Sequence, residues 1–138
     1  MISAEEALNR LRKGNKRFVS DSSVFNKISH KSRHHSLTED QDPFAIILGC
    51  SDSRAPSEII FDQGLGDLFV IRVAGNIVAP SQIGSIEFAV EKFGTRLVVV
   101  MGHSRCGAIQ ATLDSLRCPS ENQSKNWYAL GYLSFVTN

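Results

Sequence analysis

The sequence predicts an α/β fold, with a mostly parallel β-sheet, flanking helices and an N-terminal helical arm. Two observations support this fold class. Apolar runs of strand length occur at 44–49, 68–73 and 97–102, and segments with helical spacing lie between them. Strands that alternate with helices are typical of a parallel sheet. The length of 138 residues fits one domain.

Within this single domain, 1–138, the sequence separates into three parts. The arm at 1–20 begins with a capping box formed by Ser3 and Glu6 and has an apolar face, which requires a packing partner in its own domain or in another subunit. The core spans 43–118. An aromatic-rich tail without a clear helical face follows at 119–138.

Helical spacing predicts the helices between and around these strands. We expect a helix at about 3–18, a short one at 56–61, one at 81–93 that ends at Gly94, and one at 107–116. The first and last apolar runs, which lack polar residues, are expected to be fully buried parallel strands. The apolar face of the arm is predicted to comprise Ala7, Leu8, Leu11 and Phe18.

Composition excludes several classes of function. The formal net charge of +1 gives no reason to expect nucleic acid as a partner. No apolar run approaches the roughly 18–20 residues of a membrane span, and the first residues lack the regions of a signal peptide. We therefore expect a cytoplasmic protein with no membrane partner, whose three cysteines remain reduced.

Residues suited to metal binding follow the first and last apolar runs. A Cys-Ser-Asp-Ser-Arg run occupies 50–54, and a His-Ser-Arg-Cys-Gly run occupies 103–107. Ligands of open α/β sheets bind at the carboxyl ends of the strands, so the two runs converge if their strands are neighbours. Thiolate and imidazole groups suit zinc, and Cys50, His103 and Cys106 would leave one of four tetrahedral positions open.

Asp52 has two possible roles beside such a site. It could occupy the fourth zinc position and close the site. Alternatively, it could pair with Arg54 and leave that position to water, whose pKa zinc lowers toward about 7. Asp52 and Arg54 would then gate the site and take part in catalysis.

The two runs, together with an Arg-Val-Ala-Gly-Asn segment at 72–76, resemble the signatures of the β-class carbonic anhydrases. The resemblance covers roughly 3–122. It implies reversible hydration of carbon dioxide to bicarbonate and a proton by zinc-bound hydroxide, with one zinc ion per chain. It also implies the same three zinc ligands, with Asp52 as an alternating ligand and Arg54 as its partner.

The resemblance further implies contacts with the substrate. Gln41 matches a residue that hydrogen-bonds bicarbonate. Phe69 matches an aromatic residue that lines the carbon dioxide pocket, and Gly107 matches a residue that borders this pocket. Phe88 lies where many members carry Tyr. Ile47 replaces the Trp of a non-catalytic bicarbonate site, so we expect no such inhibitory site here.

The resemblance also implies a homodimer or higher homo-oligomer. The N-terminal helix of each subunit would lie across its neighbour, and residues of both chains would complete each active site. The tail at 119–138 departs from the family pattern, because members usually continue through further helices and an edge strand. We therefore expect the C-terminal part of the family fold to be missing.

Two other functions stay open on the sequence alone. The first is a catalytically impaired remnant or dimerisation module that zinc stabilises. The second is a thiol hydrolase with Cys50 as nucleophile and His103 as base, which leaves Cys106 unexplained.

Two further features are interpreted without a function. The histidines at 30, 34 and 35 match no ligand spacing, so we interpret them as part of a solvated loop. Cys118 matches no ligand position and is interpreted as an incidental free thiol.

Overall fold

A computed structural model of the protein describes residues 2–24 and 41–118. Three strands and four helices alternate along these residues, with one 3-10 turn after the second strand. The strands are β1 (Ala45–Gly49), β2 (Leu68–Arg72) and β3 (Val98–Met101); the helices are α1 (Ala4–Val19), α2 (Ser57–Ile60), α3 (Pro80–Phe93) and α4 (Gly107–Arg117); and the 3-10 turn is Ala74–Asn76.

The three strands form one parallel sheet in the order β2-β1-β3. Gly49 at the end of β1 pairs with Arg72 on one side and with Met101 on the other. The carboxyl ends of all three strands therefore meet at one edge of the sheet. This confirms the predicted α/β class and makes the two strands that precede the metal-binding runs direct neighbours.

The central strand is buried along its whole length, whereas β3 is not. All five residues of β1 are buried. In β3 the side chains of Val98 and Val100 are 41% and 58% exposed. The prediction that both strands are fully buried is therefore wrong for β3, because β3 lies at the edge of the described sheet and only β1 pairs with it there.

Helix α1 packs on the sheet of its own chain. Its capping box is present as predicted, since Ser3 and Glu6 exchange hydrogen bonds. Leu11 joins the buried core with Ala45, Ile47 and Leu68 of the strands. The buried face of α1 is therefore covered within its own chain. The implied placement of this helix across a neighbouring subunit stays a prediction.

A glycine allows α1 to approach the end of α2 closely. A Cβ at Gly14 would lie 1.7 Å from the carbonyl oxygen of Phe61, so no other residue fits there without a shift of the backbone. Asn15 and Arg17 bond the carbonyl of Ile60 and the buried carboxylate of Asp62 on the same side. Phe18, predicted on the buried face, lies beyond this contact and is 41% exposed.

Helix α3 covers the other face of the sheet only in part. It begins at Pro80 and ends at Gly94, whose φ of 64° is the left-handed conformation expected of a glycine stop. Of its residues only Ala89 is fully buried, and Phe88 is 51% exposed. The rings of Phe88 and Phe93 pack against Phe69 of β2, with centroids 6.1 and 6.0 Å away.

Several sequence interpretations concern other parts of the chain. The histidines at 30, 34 and 35 and the tail at 119–138 lie outside the described residues. Cys118 is an exposed free thiol at the end of α4. Within 2–24 and 41–118, no helix has both the length and the apolar character that crossing a membrane requires.

Candidate metal centre

Two loops at the carboxyl edge of the sheet bring the predicted ligands together. The first ligand loop, 50–54, follows β1, and the second ligand loop, 102–106, follows β3 and leads into α4. The ligand atoms of Cys50, His103 and Cys106 all lie within 4.8 Å of one another. The predicted convergence of two sulfurs and one ring nitrogen is therefore present.

The geometry of this cluster fits a zinc ion. The sulfurs of Cys50 and Cys106 are 3.8 Å apart, and two bonds of 2.3 Å at a tetrahedral angle would separate them by about 3.8 Å. His103 Nδ1 lies 3.0 Å from the carbonyl oxygen of Ser104. That contact favours a proton on Nδ1 and leaves the Nε2 lone pair free. Nε2 is buried and has no hydrogen-bond partner among the described residues.

The Cys50 sulfur is adapted to carry negative charge. Burial raises the pKa of its thiol, but the nearby His103 ring and the backbone N–H groups of Asp52 and Gly75 outweigh this effect and bring the pKa to about 7. The Gly75 N–H donates to the sulfur at 3.2 Å. Gly75 has a φ of 67°, so the turn after β2 requires glycine at the residue that aims this donor. Conversely, the proximity of the Cys50 sulfur raises the pKa of His103.

Asp52 is paired with Arg54. Arg54 Nε donates to Oδ1 at 2.9 Å and Nη2 donates to Oδ2 at 2.7 Å, and the Arg54 backbone N–H also donates to Oδ1 at 2.9 Å. These bonds hold the pKa of Asp52 well below its usual range. Oδ2 nevertheless lies 3.7 Å from His103 Nε2, so the carboxylate borders the cluster while it stays bound to Arg54.

Arg54 also joins the two ligand loops. Its Nη2 donates to the carbonyl of Arg105 at 3.2 Å. The backbone of Arg105 has a φ of 55°, a left-handed conformation that residues other than glycine rarely adopt. Backbone strain of this kind is characteristic of functional loops. Sequence reasoning missed this feature, because no glycine or asparagine marks the position.

Sequence reasoning also missed a role for Arg72, the last residue of β2. Its Nε donates to the carbonyl of Cys50 at 2.9 Å, and its Nη2 donates to the carbonyl of Asp52 at 2.6 Å. The signal was present in the sequence, since an arginine that ends an apolar strand lies at the same edge as the ligand runs. Its contacts depend on the sheet order, which the sequence did not establish.

The predicted substrate residues divide between two places. Gly107 begins α4 beside Cys106, and a Cβ there would meet no described residue within 4 Å, so Gly107 borders open space next to the cluster in this part of the chain. Gln41 precedes β1, whereas Cys50 follows it, and five strand residues span about 16 Å. Phe69 pairs with Ile46 and packs on α3. Gln41 and Phe69 are therefore not brought to the cluster of their own chain.

A separate cavity of about 620 Å³ lies between α1 and the connection from α2 to β2. Its lining mixes acidic and basic side chains and includes no residue of the metal cluster. Arg10 and Arg17, which line it, are paired with Asp67 and Asp62. We interpret this cavity as a consequence of how α1 docks rather than as the reaction site.

Comparison with known proteins is consistent with a metal site formed by Cys50, His103 and Cys106. The carbonic anhydrase family model matches residues 45–131. The carbonic anhydrase of Mycolicibacterium smegmatis is 46% identical over 114 residues, which cover 80% of this chain and 53% of that protein. Carbonic anhydrase 2 of Mycobacterium tuberculosis is 44% identical over 112 residues, with the same coverage. The chain thus spans about half the length of the curated relatives it matches.

Solved structures give the same result for the fold. One of two tetrameric β-carbonic anhydrases of the ascomycete Sordaria macrospora matches with a TM-score of 0.61 and 31% identity, over 70% of this chain and 48% of that one. The β-carbonic anhydrase CcaA matches with a TM-score of 0.59 and 31% identity, over 80% and 54% of the two chains. The family model covers more than half of the present sequence, and the strands that carry the ligand loops lie inside the match. The chain therefore belongs to the β-class carbonic anhydrase family.

Proposed function

We propose that this chain binds one zinc ion through Cys50, His103 and Cys106 and catalyses the reversible hydration of carbon dioxide to bicarbonate and a proton. The observation that carries the proposal is the convergence of these three ligand atoms at the carboxyl edge of the sheet. The buried Nε2 of His103 supports it, because this ring nitrogen beside two sulfurs has no hydrogen-bond partner among residues 2–24 and 41–118, and a metal would provide one. The relatives named carbonic anhydrase support the choice of reaction.

Zinc, when bound, supplies a Lewis acid that makes water a competent nucleophile at neutral pH. The chain contributes the orientation of that water. Asp52 stays ionised because Arg54 and its backbone N–H stabilise the carboxylate. An ionised Asp52 that borders the cluster can accept a hydrogen bond from the attacking water and direct its lone pair toward the carbon.

The Asp52–Arg54 pair also supports a gate. While both guanidinium bonds are made, Arg54 restrains the carboxylate beside the cluster, which would leave the fourth position of a bound zinc to water. If Arg54 released it, Asp52 could turn toward the cluster, because Oδ2 is already only 3.7 Å from His103 Nε2. The paired state would thus be the open, active state of the site, and a state in which Asp52 became the fourth ligand would be the closed one.

A second copy of the chain is proposed to complete the site. Gln41 and Phe69 lie away from the cluster of their own chain, so they can meet substrate only in the site of a partner subunit. Exposed apolar side chains on β3 and α3, namely Val98, Val100 and Phe88, are suited to an interface between subunits. Size-exclusion chromatography with light scattering should give a dimer or a larger oligomer, and a monomer at micromolar concentration would contradict this part of the proposal.

Two measurements on the purified full chain test the main proposal. Mass spectrometry of the metal content should give about one zinc per chain, and stopped-flow hydration with a pH indicator should show zinc-dependent turnover. A chelated sample, which should regain activity when zinc is restored, is the control. One zinc per chain without turnover at pH 8.5 and above would favour the catalytically impaired zinc module instead.

The thiol hydrolase hypothesis is disfavoured by the geometry of Cys50. Cys50 is only 3% exposed to solvent, and its sulfur lies 3.8 Å from the sulfur of Cys106. A nucleophile must be reachable by its substrate. Stoichiometric zinc bound by both cysteines would dispose of this function.

A further inference from the structure

Arg72 makes an unusual pair of contacts beside the metal cluster. Its guanidinium donates to two backbone carbonyls of the first ligand loop, those of Cys50 at 2.9 Å and Asp52 at 2.6 Å. These carbonyls lie on either side of Ser51. One planar guanidinium group therefore holds the backbone both at Cys50, a proposed metal ligand, and at Asp52, the proposed gate.

The strand pairing extends into this loop. Val73 N–H donates to the carbonyl of Gly49 at 3.1 Å, and Ser51 N–H donates to the carbonyl of Val73 at 3.2 Å. The ladder between β1 and β2 thus continues past the last strand residues. Arg72 belongs to the same short segment, so the rigid sheet directly supports the side chain that holds the loop.

Arginine is suited to this position in a way that lysine is not. Its planar group presents Nε and Nη2 in a fixed geometry, so both carbonyls are bonded without further loss of side-chain freedom. A lysine ammonium is a point donor on a flexible stem. It can reach one carbonyl well, but it does not impose a fixed spacing between the two.

We propose that Arg72 is a positioning residue that sets the direction of the Cys50 sulfur and the Asp52 carboxylate toward the metal. The proposal rests on the proposed function, because it assigns Arg72 to the same zinc site. The proposal gives the two arginines of the site different roles. Arg54 holds the Asp52 side chain and reaches the second ligand loop, whereas the Arg72 guanidinium donates to the backbone of the first.

This division predicts a local effect. Removal of Arg72 should loosen the first ligand loop and leave the second in place. Outer groups that orient metal ligands typically contribute 10-fold to 100-fold to metal affinity. We therefore expect zinc to leave an Arg72→Met variant at least about 10-fold faster than wild type. Arg72→Lys should give a smaller acceleration, since it retains one donor.

The experiment uses the full chain in both zinc-loaded and zinc-free form. Zinc release to a chromogenic chelator gives the dissociation rate, and the visible spectrum after cobalt substitution reports the geometry of the ligands. Hydrogen exchange with peptide-level mass spectrometry locates the change. Arg12→Met is the matched control, because Arg12 is an exposed arginine of α1 far along the chain from the site.

Faster exchange at 50–54 with unchanged exchange at 102–106, a shifted cobalt spectrum and faster zinc release would support the proposal. Wild-type behaviour of Arg72→Met in all three would overturn it and leave the proposed function standing. If the wild-type protein bound no zinc, the proposed function would be overturned instead. Hydrogen exchange of the first ligand loop in the zinc-free chain would then still decide whether Arg72 holds that loop. If Arg72→Met fails to fold, Arg72→Lys decides, since equal release rates in Arg72→Lys and wild type would contradict the need for two fixed donors.

Discussion

The two ligand loops lie at the same edge of one sheet, yet the protein supports them to different degrees. The first follows β1, which is wholly buried, and Arg72 and Gly75 bond its backbone and its sulfur. The second follows an edge strand with exposed valines, and it contains the left-handed Arg105. Arg54 of the first loop donates to the carbonyl of Arg105 in the second.

The site thus combines one loop that the protein supports firmly with one that it supports less. The first loop is organised by the protein itself and offers one sulfur in a fixed place. The second loop offers two ligands on a less supported segment. Metal binding would therefore contribute more to the order of the second loop than to that of the first, since binding free energy is coupled to folding where a site is not preformed.

The largest effect is expected from removal of the ring nitrogen. His103→Ala should lower zinc affinity by at least about 100-fold, because two thiolates alone complete only half of a tetrahedral site. The first ligand loop should keep its native hydrogen exchange, since its contacts with Arg72 and Gly75 are unaffected. Competition with a chelator of known affinity measures the change. Zinc binding equal to wild type would remove His103 from the site.

Asp52→Asn should separate metal binding from turnover. The amide has one acceptor oxygen and carries no charge, so it loses the paired bonds to Arg54 and cannot act as a base. We expect zinc to stay near one per chain while turnover falls by about 100-fold. Asp114→Asn, which changes an exposed carboxylate of α4, is the matched control. Equal zinc loss in Asp52→Asn and His103→Ala would contradict the gate.

The strands that carry the loops should differ in what they contribute to stability. Ile47 of β1 is completely buried, so Ile47→Ala should lower the free energy of unfolding by about 3 kcal/mol. Val100 of β3 is 58% exposed, and Val100→Ala should cost less than about 1 kcal/mol. Urea denaturation at matched protein concentration measures both. Comparable losses would show that β3 is covered in solution, which would point to the proposed subunit contact.

The sequence predicted those parts of the molecule that depend on local pattern. The capping box of α1, the glycine stop of α3 and the start of α4 after Cys106 follow from a few neighbouring residues each, and all three are confirmed. Convergence of the cysteines and the histidine followed from one further rule, that parallel strands end at a common edge. The Asp52–Arg54 pair was one of two alternatives that remained open.

What the sequence could not provide depends on which strands are neighbours. Exposure of Val98 and Val100 reflects the edge position of β3, and an apolar run looks the same at an edge and at the centre of a sheet. Arg72 reaches Cys50 only because β2 lies beside β1. The docking of α1 against the end of α2 likewise depends on close approach at Gly14, which periodicity does not reveal.

The smallest expected effect concerns the strain in the second ligand loop. Arg105 has a φ of 55°, which costs an L-residue roughly 1–2 kcal/mol. Valine should increase that cost because its branched Cβ crowds the backbone, whereas glycine removes it at the expense of a more flexible unfolded chain. We expect Arg105→Val to lower stability by about 1–2 kcal/mol and Arg105→Gly to change it by less than about 1 kcal/mol.

Thermal unfolding of zinc-loaded and zinc-free protein measures both variants. Each keeps the carbonyl that accepts from Arg54, so the contact between the loops is retained and the backbone conformation is the quantity under test. If the metal compensates for the strain, the difference between the valine and glycine variants should be larger in the zinc-loaded protein, where the ligands hold the loop in its left-handed turn. In the zinc-free protein the less supported loop can relax, and the two variants should converge. An equal difference in both forms would mean that the second ligand loop is as firmly held by the protein as the first.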